Sequence, residues 1–110
     1  MDYISTISED LKNGICPLLG KQLVSIILYG SVARGTQTDQ SDVDVALILR
    51  TDLSAEDEDR LSDFVVDLNL KYDRIFSVID INEATFEKWG RFSPFYRNVK
   101  EEGIVLWTAA

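Results

Sequence analysis

The residues of this chain that could do chemistry together lie between positions 28 and 49. Asp42 and Asp44 are separated by one valine and lead into the apolar run Val45-Ala46-Leu47-Ile48-Leu49. Successive side chains of a strand face opposite ways, so both carboxylates project from one face while Val43 and Val45 go to the other. Two like charges side by side repel, and a strand buried enough to carry that run needs a positive partner between them. A hard divalent cation with oxygen ligands suits such a pair. Upstream, Gly30-Ser31 breaks a second apolar run. Glycine lets backbone approach an anion without a Cβ in the way, and a helical turn starting there would aim its N–H groups at phosphate. The plain alternative is a solvated strand edge and an ordinary turn. Against it, Asp is a poor strand former, and here two of them open a strongly apolar strand.

The elements that must hold these residues can be read on either side. Ile4, Ile7, Leu11 and Ile15 recur at helical spacing, predicting an amphipathic first helix that ends before Pro17. Leu23–Tyr29 is almost wholly apolar and rich in β-branched residues, as in a strand covered on both faces. A loop over 36–41 connects it to a second strand over 42–50. Ser54, with Asp57 three residues on, marks a helix start, and Leu61, Phe64, Val65, Leu68 and Tyr72 continue its stripe. Glu56, Asp57, Glu58 and Asp59 crowd the positive end of that helix, which suits capping better than metal binding. A third strand is expected over 74–81, a short helix over 85–89, and another from Ser93-Pro94 to a stop at Gly103. Residues 104–107 would form a last short strand or an extended tail. Trp89, Phe92, Phe95 and Tyr96 read first as core at helical spacing, and otherwise as an exposed patch.

The chain has 110 residues, 45% hydrophobic, which predicts a single globular α/β domain over 1–110. Eleven Lys and Arg against nineteen Asp and Glu leave a net charge of −8, which argues against a groove for a nucleic-acid template. There is no histidine, so an imidazole base is excluded and carboxylates are the strong ligands. The one cysteine, Cys16, sits in an apolar stretch and reads as a small core residue. The N-terminus shows no signal pattern and no run reaches membrane-spanning length, so the expected location is the cytoplasm, with no membrane partner.

Gly30-Ser31-Val32-Ala33-Arg34-Gly35 followed by Ser41-Asp42-Val43-Asp44 resembles the signature of the DNA-polymerase-β-like nucleotidyltransferases. The match is to their minimal, single-domain branch, a Gly-Ser turn, about ten residues, then Asp-x-Asp. The resemblance implies an α+β fold with a small mixed sheet flanked by helices. It implies transfer of a nucleoside monophosphate from an NTP, with ATP the first candidate, to a hydroxyl, releasing pyrophosphate. Asp42 and Asp44 would then be the catalytic pair, holding Mg²⁺, two ions with NTP bound. Gly30 and Ser31 would hold the β- and γ-phosphates and Arg34 would add charge. Ser41 belongs to the same candidate nucleotide-binding set, although its small polar side chain also suits shaping the loop.

The family usually supplies a third carboxylate from the next strand, and there this sequence departs from the pattern. In Phe76-Ser77-Val78-Ile79 the acid's place falls on Ser77; Asp80 is three positions along on the other face, and Asp73 lies four residues earlier. Members of the minimal branch resemble antitoxins that adenylylate a HEPN-class toxin. Two readings follow: a transferase acting on such a partner, or an impaired, nucleotide-binding or contact-only antitoxin that keeps the fold.

Overall fold

A computed structural model describes residues 3–36, 38 and 41–109. In chain order the elements are α1 (Tyr3–Leu19), a 3₁₀ turn (Gly20–Gln22), β1 (Leu23–Tyr29), α2 (Gly30–Arg34), β2 (Val43–Leu49), α3 (Ala55–Tyr72), β3 (Phe76–Asn82), α4 (Glu83–Trp89), α5 (Pro94–Glu102) and β4 (Ile104–Thr108). The strands form one mixed sheet in the order β3-β2-β1-β4. β1 is antiparallel to β2 and β4, and β2 is parallel to β3. The parallel pair needs a long crossover, and α3 provides it.

Strand alternation divides the core in two. Val43, Val45, Leu47 and Leu49 of β2, with Ile26 and Leu28 of β1, pack against Ile7, Leu11, Ile15 and Leu19 of α1 and Leu61 and Leu68 of α3. The intervening Ala46, Ile48 and Ile27 pack with Ile81, Phe86 of α4 and Val99 of α5 on the other face. The central strands are thus covered on both sides, as the apolar runs predicted. Side-chain caps set the helix starts: Ser54 Oγ accepts from the N–H of Asp57 at 3.1 Å, Ser93 Oγ from that of Tyr96 at 3.3 Å, and Asn82 Oδ1 from that of Ala84 at 2.9 Å.

Three expectations change, and the alternative left open for the last segment is decided. The first helix does not stop before Pro17 but runs through it to Leu19, because Leu19 joins Ile15 in the core while Pro17 itself is exposed. The bond forfeited at Pro17 is to the carbonyl of Asn13, an exposed residue where water can replace it. The third strand begins at Phe76, since Asp73 takes a left-handed φ of 51° and closes α3 instead. The last strand pairs with β1 and is no tail. Trp89, Phe92 and Phe95 are exposed, against the core reading; only Tyr96 of the four aromatics is half-buried, against Phe86. Among the described residues no helix is long and apolar enough to cross a membrane.

Candidate active site

The candidate residues meet where β1 ends and β2 and β3 begin. Asp44 lies directly opposite Tyr29 of β1 and directly beside Ser77 of β3, so these three side chains form one row across the sheet, on the α4 and α5 side. Asp42 precedes the first residue of β2 and is exposed, whereas Asp44 is half-buried. Burial, and after it the charge of Asp42, hold the Asp44 carboxyl above its usual range, while Arg34 pulls the other way. Burial and the Asp44 charge also push the Tyr29 phenol up, which keeps it protonated at neutral pH.

Gly30 closes onto this row. It has a φ of +76°, and a Cβ placed on it would stand 2.3 Å from Asp44 Oδ2. Glycine is therefore required twice, for the left-handed backbone and for the close approach. From Gly30 the chain makes α2, a single short turn closed by Gly35 at φ 74°, where the N–H of Thr36 donates to the carbonyl of Ser31 at 3.0 Å. Ser31 thus sits at the start of α2, next to the glycine that packs on Asp44. Arg34, in its last turn, donates through Nη1 to Glu102 of α5 at 3.4 Å; both side chains are about half exposed, so the pair contributes little stability.

The remaining candidates fall elsewhere. The Ser41 hydroxyl accepts from the N–H of Thr38 at 2.9 Å, and Arg74 Nη1 donates to the carbonyls of Thr38 and Ser41, each at 3.2 Å. The Ser41 side chain is thus engaged by Thr38, and Arg74, just before β3, holds the backbone of both residues. Of the possible third acids, Ser77 alone is in register with Asp44. Asp80 pairs with Leu47, whose side chain faces α1 and α3, and Asp73 is off the strand. A groove of about 540 Å³ between α3 and β3, lined by Leu61, Val65, Phe76 and Asp80, lies mainly on that opposite face. Sequence reasoning missed Tyr29, although it adjoins Gly30, and it missed Glu102 and Arg74, which lie far from the motif along the chain.

Residues 9–106 match the family model of the nucleotidyltransferase domain. The chain belongs to the nucleotidyltransferase family. A Methanocaldococcus jannaschii protein named as a protein adenylyltransferase is 38% identical over 86 residues, 78% of this chain and 80% of that one. The fold is similar to that of a chain in a mutant MntA-HpeT toxin-antitoxin complex, with a TM-score of 0.61 at 20% identity over 96% of this chain and 73% of that one. It is also similar to a chain in the complex of tri-AMPylated Shewanella oneidensis HEPN toxin with MNT antitoxin, with a TM-score of 0.52 at 20% identity over 93% and 73% of the two chains. The nucleotidyltransferase chain is thus an enzyme of nucleotide transfer, built on the mixed four-stranded sheet.

The family's chemistry calls for divalent metal, and the residues present fit it. Asp42 and Asp44 stand two residues apart at the start of β2, close enough for the charge of Asp42 to help raise the Asp44 carboxyl. Among the described residues no group of three or more acidic, Cys or His side chains converges. Two carboxylates completed by substrate phosphate and water are what Mg²⁺ accepts, since it keeps waters and seldom takes an all-protein cage.

Proposed function

We propose that this nucleotidyltransferase moves a nucleoside monophosphate, first of all AMP, from Mg²⁺-bound NTP to a hydroxyl on a HEPN-class partner protein. The observation that carries the reading is the packing of Gly30 onto Asp44, which sets a phosphate-receiving turn against a metal-receiving carboxylate pair. The relative named as an adenylyltransferase supports the nucleotide, and the antitoxin complexes of the same fold support the partner.

In the transfer the attacking hydroxyl oxygen bonds to the α-phosphorus, the α–β anhydride bond breaks, and pyrophosphate leaves. Asp42 and Asp44 would hold Mg²⁺, which neutralises charge on the reacting phosphates when bound. Ser31 and the N–H groups after Gly30 would hold the β- and γ-phosphates, with Arg34 adding charge once it turns from Glu102. Ser77 cannot take the hydroxyl proton, because a seryl oxygen is a negligible base at neutral pH. The proton therefore passes to water or to a substrate oxygen. That same serine favours the second reading, an antitoxin that binds nucleotide and neutralises its partner by contact.

Calorimetry of ATP binding with and without Mg²⁺ tests the site, and transfer of label from α-labelled ATP to the partner separates the two readings. Affinity should fall without Mg²⁺ and in Asp42→Asn/Asp44→Asn. Asp44→Asn should also melt higher at neutral pH. A carboxyl whose folded pKa is raised binds its proton more tightly when folded, so the fold loses stability as pH rises through that range. Equal ATP affinity in every condition would overturn the site.

A further inference from the structure

Phe92 is 72% exposed, Trp89 47% and Phe95 43%. Exposed apolar groups close to one another mark interaction surfaces more than scattered ones do, and these three rings fall within seven residues of sequence. Trp89 and Phe92 stand edge to face with centroids 6.3 Å apart. Phe95 meets Tyr29 edge to face at 5.6 Å, and Tyr29 is the register partner of Asp44 and the neighbour of Gly30. Phe92 and Phe95 are three residues apart, so their Cα atoms lie within about 11 Å. Phe95 thus stands at the rim of the carboxylate site, and the Trp89–Phe92 pair lies close to it along the chain. Between residues 83 and 102 the four basic side chains, Lys88, Arg91, Arg97 and Lys100, are balanced by Glu83, Glu87, Glu101 and Glu102. This segment is net neutral, so the charge of −8 is carried by the rest of the chain.

We propose that this aromatic face of α4 and α5 docks the protein acceptor, holding an apolar, uncharged surface that borders the acceptor hydroxyl. The proposal rests on transfer to a protein. A protein that brings a hydroxyl to Asp42 and Asp44 must overlie the rim of the site, and Phe95 is part of that rim through Tyr29. A second copy is the rival occupant, and self-association lost in the aromatic variants in place of probe binding would overturn the dock.

The test uses the chain as it stands, with a purified HEPN-class protein as probe. Trp89→Ser and Phe92→Ser are compared with Leu70→Ser on α3 and Val105→Ser on β4, residues 77% and 57% exposed. The first two should weaken probe binding at least ~10-fold, as truncated aromatic anchors do, and raise the KM for the acceptor alike with kcat kept. ATP affinity with Mg²⁺ and melting temperature should stay at wild-type values, and the two controls should change nothing. Variants that bind and modify the probe as wild type does would overturn the dock and leave the transfer reading intact. So would loss of ATP affinity in place of probe binding, which would make the rings a platform for the base. Wild type that binds the probe without transfer, with binding lost in the variants, keeps the dock and removes the transfer reading. A probe that wild type does not bind overturns both the dock and the partner class, while the ATP calorimetry still stands as the test of the site.

Discussion

Ser77 and Gly30 confine Asp44 from two sides, and they differ in what they permit. Gly30 admits no substitution, since any Cβ would collide with Asp44 Oδ2 in a backbone conformation that only glycine takes without strain. Ser77 leaves room for chemistry to be added, because its side chain shares the face of Asp44 on the neighbouring parallel strand. Ser77→Asp should therefore raise single-turnover transfer at saturating Mg²⁺ with little change in NTP affinity. A general base typically contributes about 10²–10⁴-fold, which bounds the gain. Asp80→Asn, on the other face, should be silent. If Asp80→Asn abolishes transfer while Ser77→Asp does nothing, the assignment of the third place is wrong.

At the scale of elements, α1 and α3 form the layer under the site strands, and a small polar brace joins them. Lys71 Nζ donates to Asp10 Oδ2 at 2.7 Å, and the Tyr72 hydroxyl donates to the same oxygen. Hydrogen bonds from Lys71 and then Tyr72 hold the Asp10 carboxyl below its usual range, while burial, and then Asp10, push the Tyr72 phenol up to about 12. The two shifts act at opposite ends of the pH scale. A carboxyl lowered by folding contributes stability above its unfolded value of 3.8 and loses it as pH falls through the folded value. A phenol raised by folding contributes below its unfolded value of 10.0 and loses that as pH climbs towards about 12. Tyr72→Phe should lower urea stability by about 1 kcal/mol at neutral pH and by less at either extreme, the signature of one lost hydrogen bond. No cost at any pH would show that Tyr72 contributes through its ring, which packs against Tyr3 and which Phe keeps, and not through the brace.

For the molecule as a whole, charge decides which polymers can approach. A net charge of −8 repels a phosphate backbone, and polyanion binding draws its affinity from released counterions that this surface cannot displace. Filter binding of single- or double-stranded DNA and RNA near physiological ionic strength should show no specific retention at micromolar protein. Tight binding that weakens steeply with salt would refute this and reopen a template-directed role.

What the sequence determined by itself is local. A β-branched apolar run specified β1 from Leu23 to Tyr29, and Ser54 and Ser93 specified two helix starts. The turn at Gly30 was legible too, because an αL glycine beside a strand end is a feature of few consecutive residues. Tertiary structure decided everything that depends on a distant partner. Whether Ser77, Asp80 or Asp73 shares the row of Asp44 follows from the parallel register of β2 and β3, which is set only when α3 has folded back across the sheet. Arg34 meets Glu102 across 68 positions, a pairing that no local pattern encodes. Pro17 stays within α1 because the core beneath Ile15 and Leu19 outweighs one missing hydrogen bond. The exposure of Trp89, Phe92 and Phe95 was likewise out of reach of spacing: periodicity says which residues share a face of a helix, and only packing says whether anything covers that face.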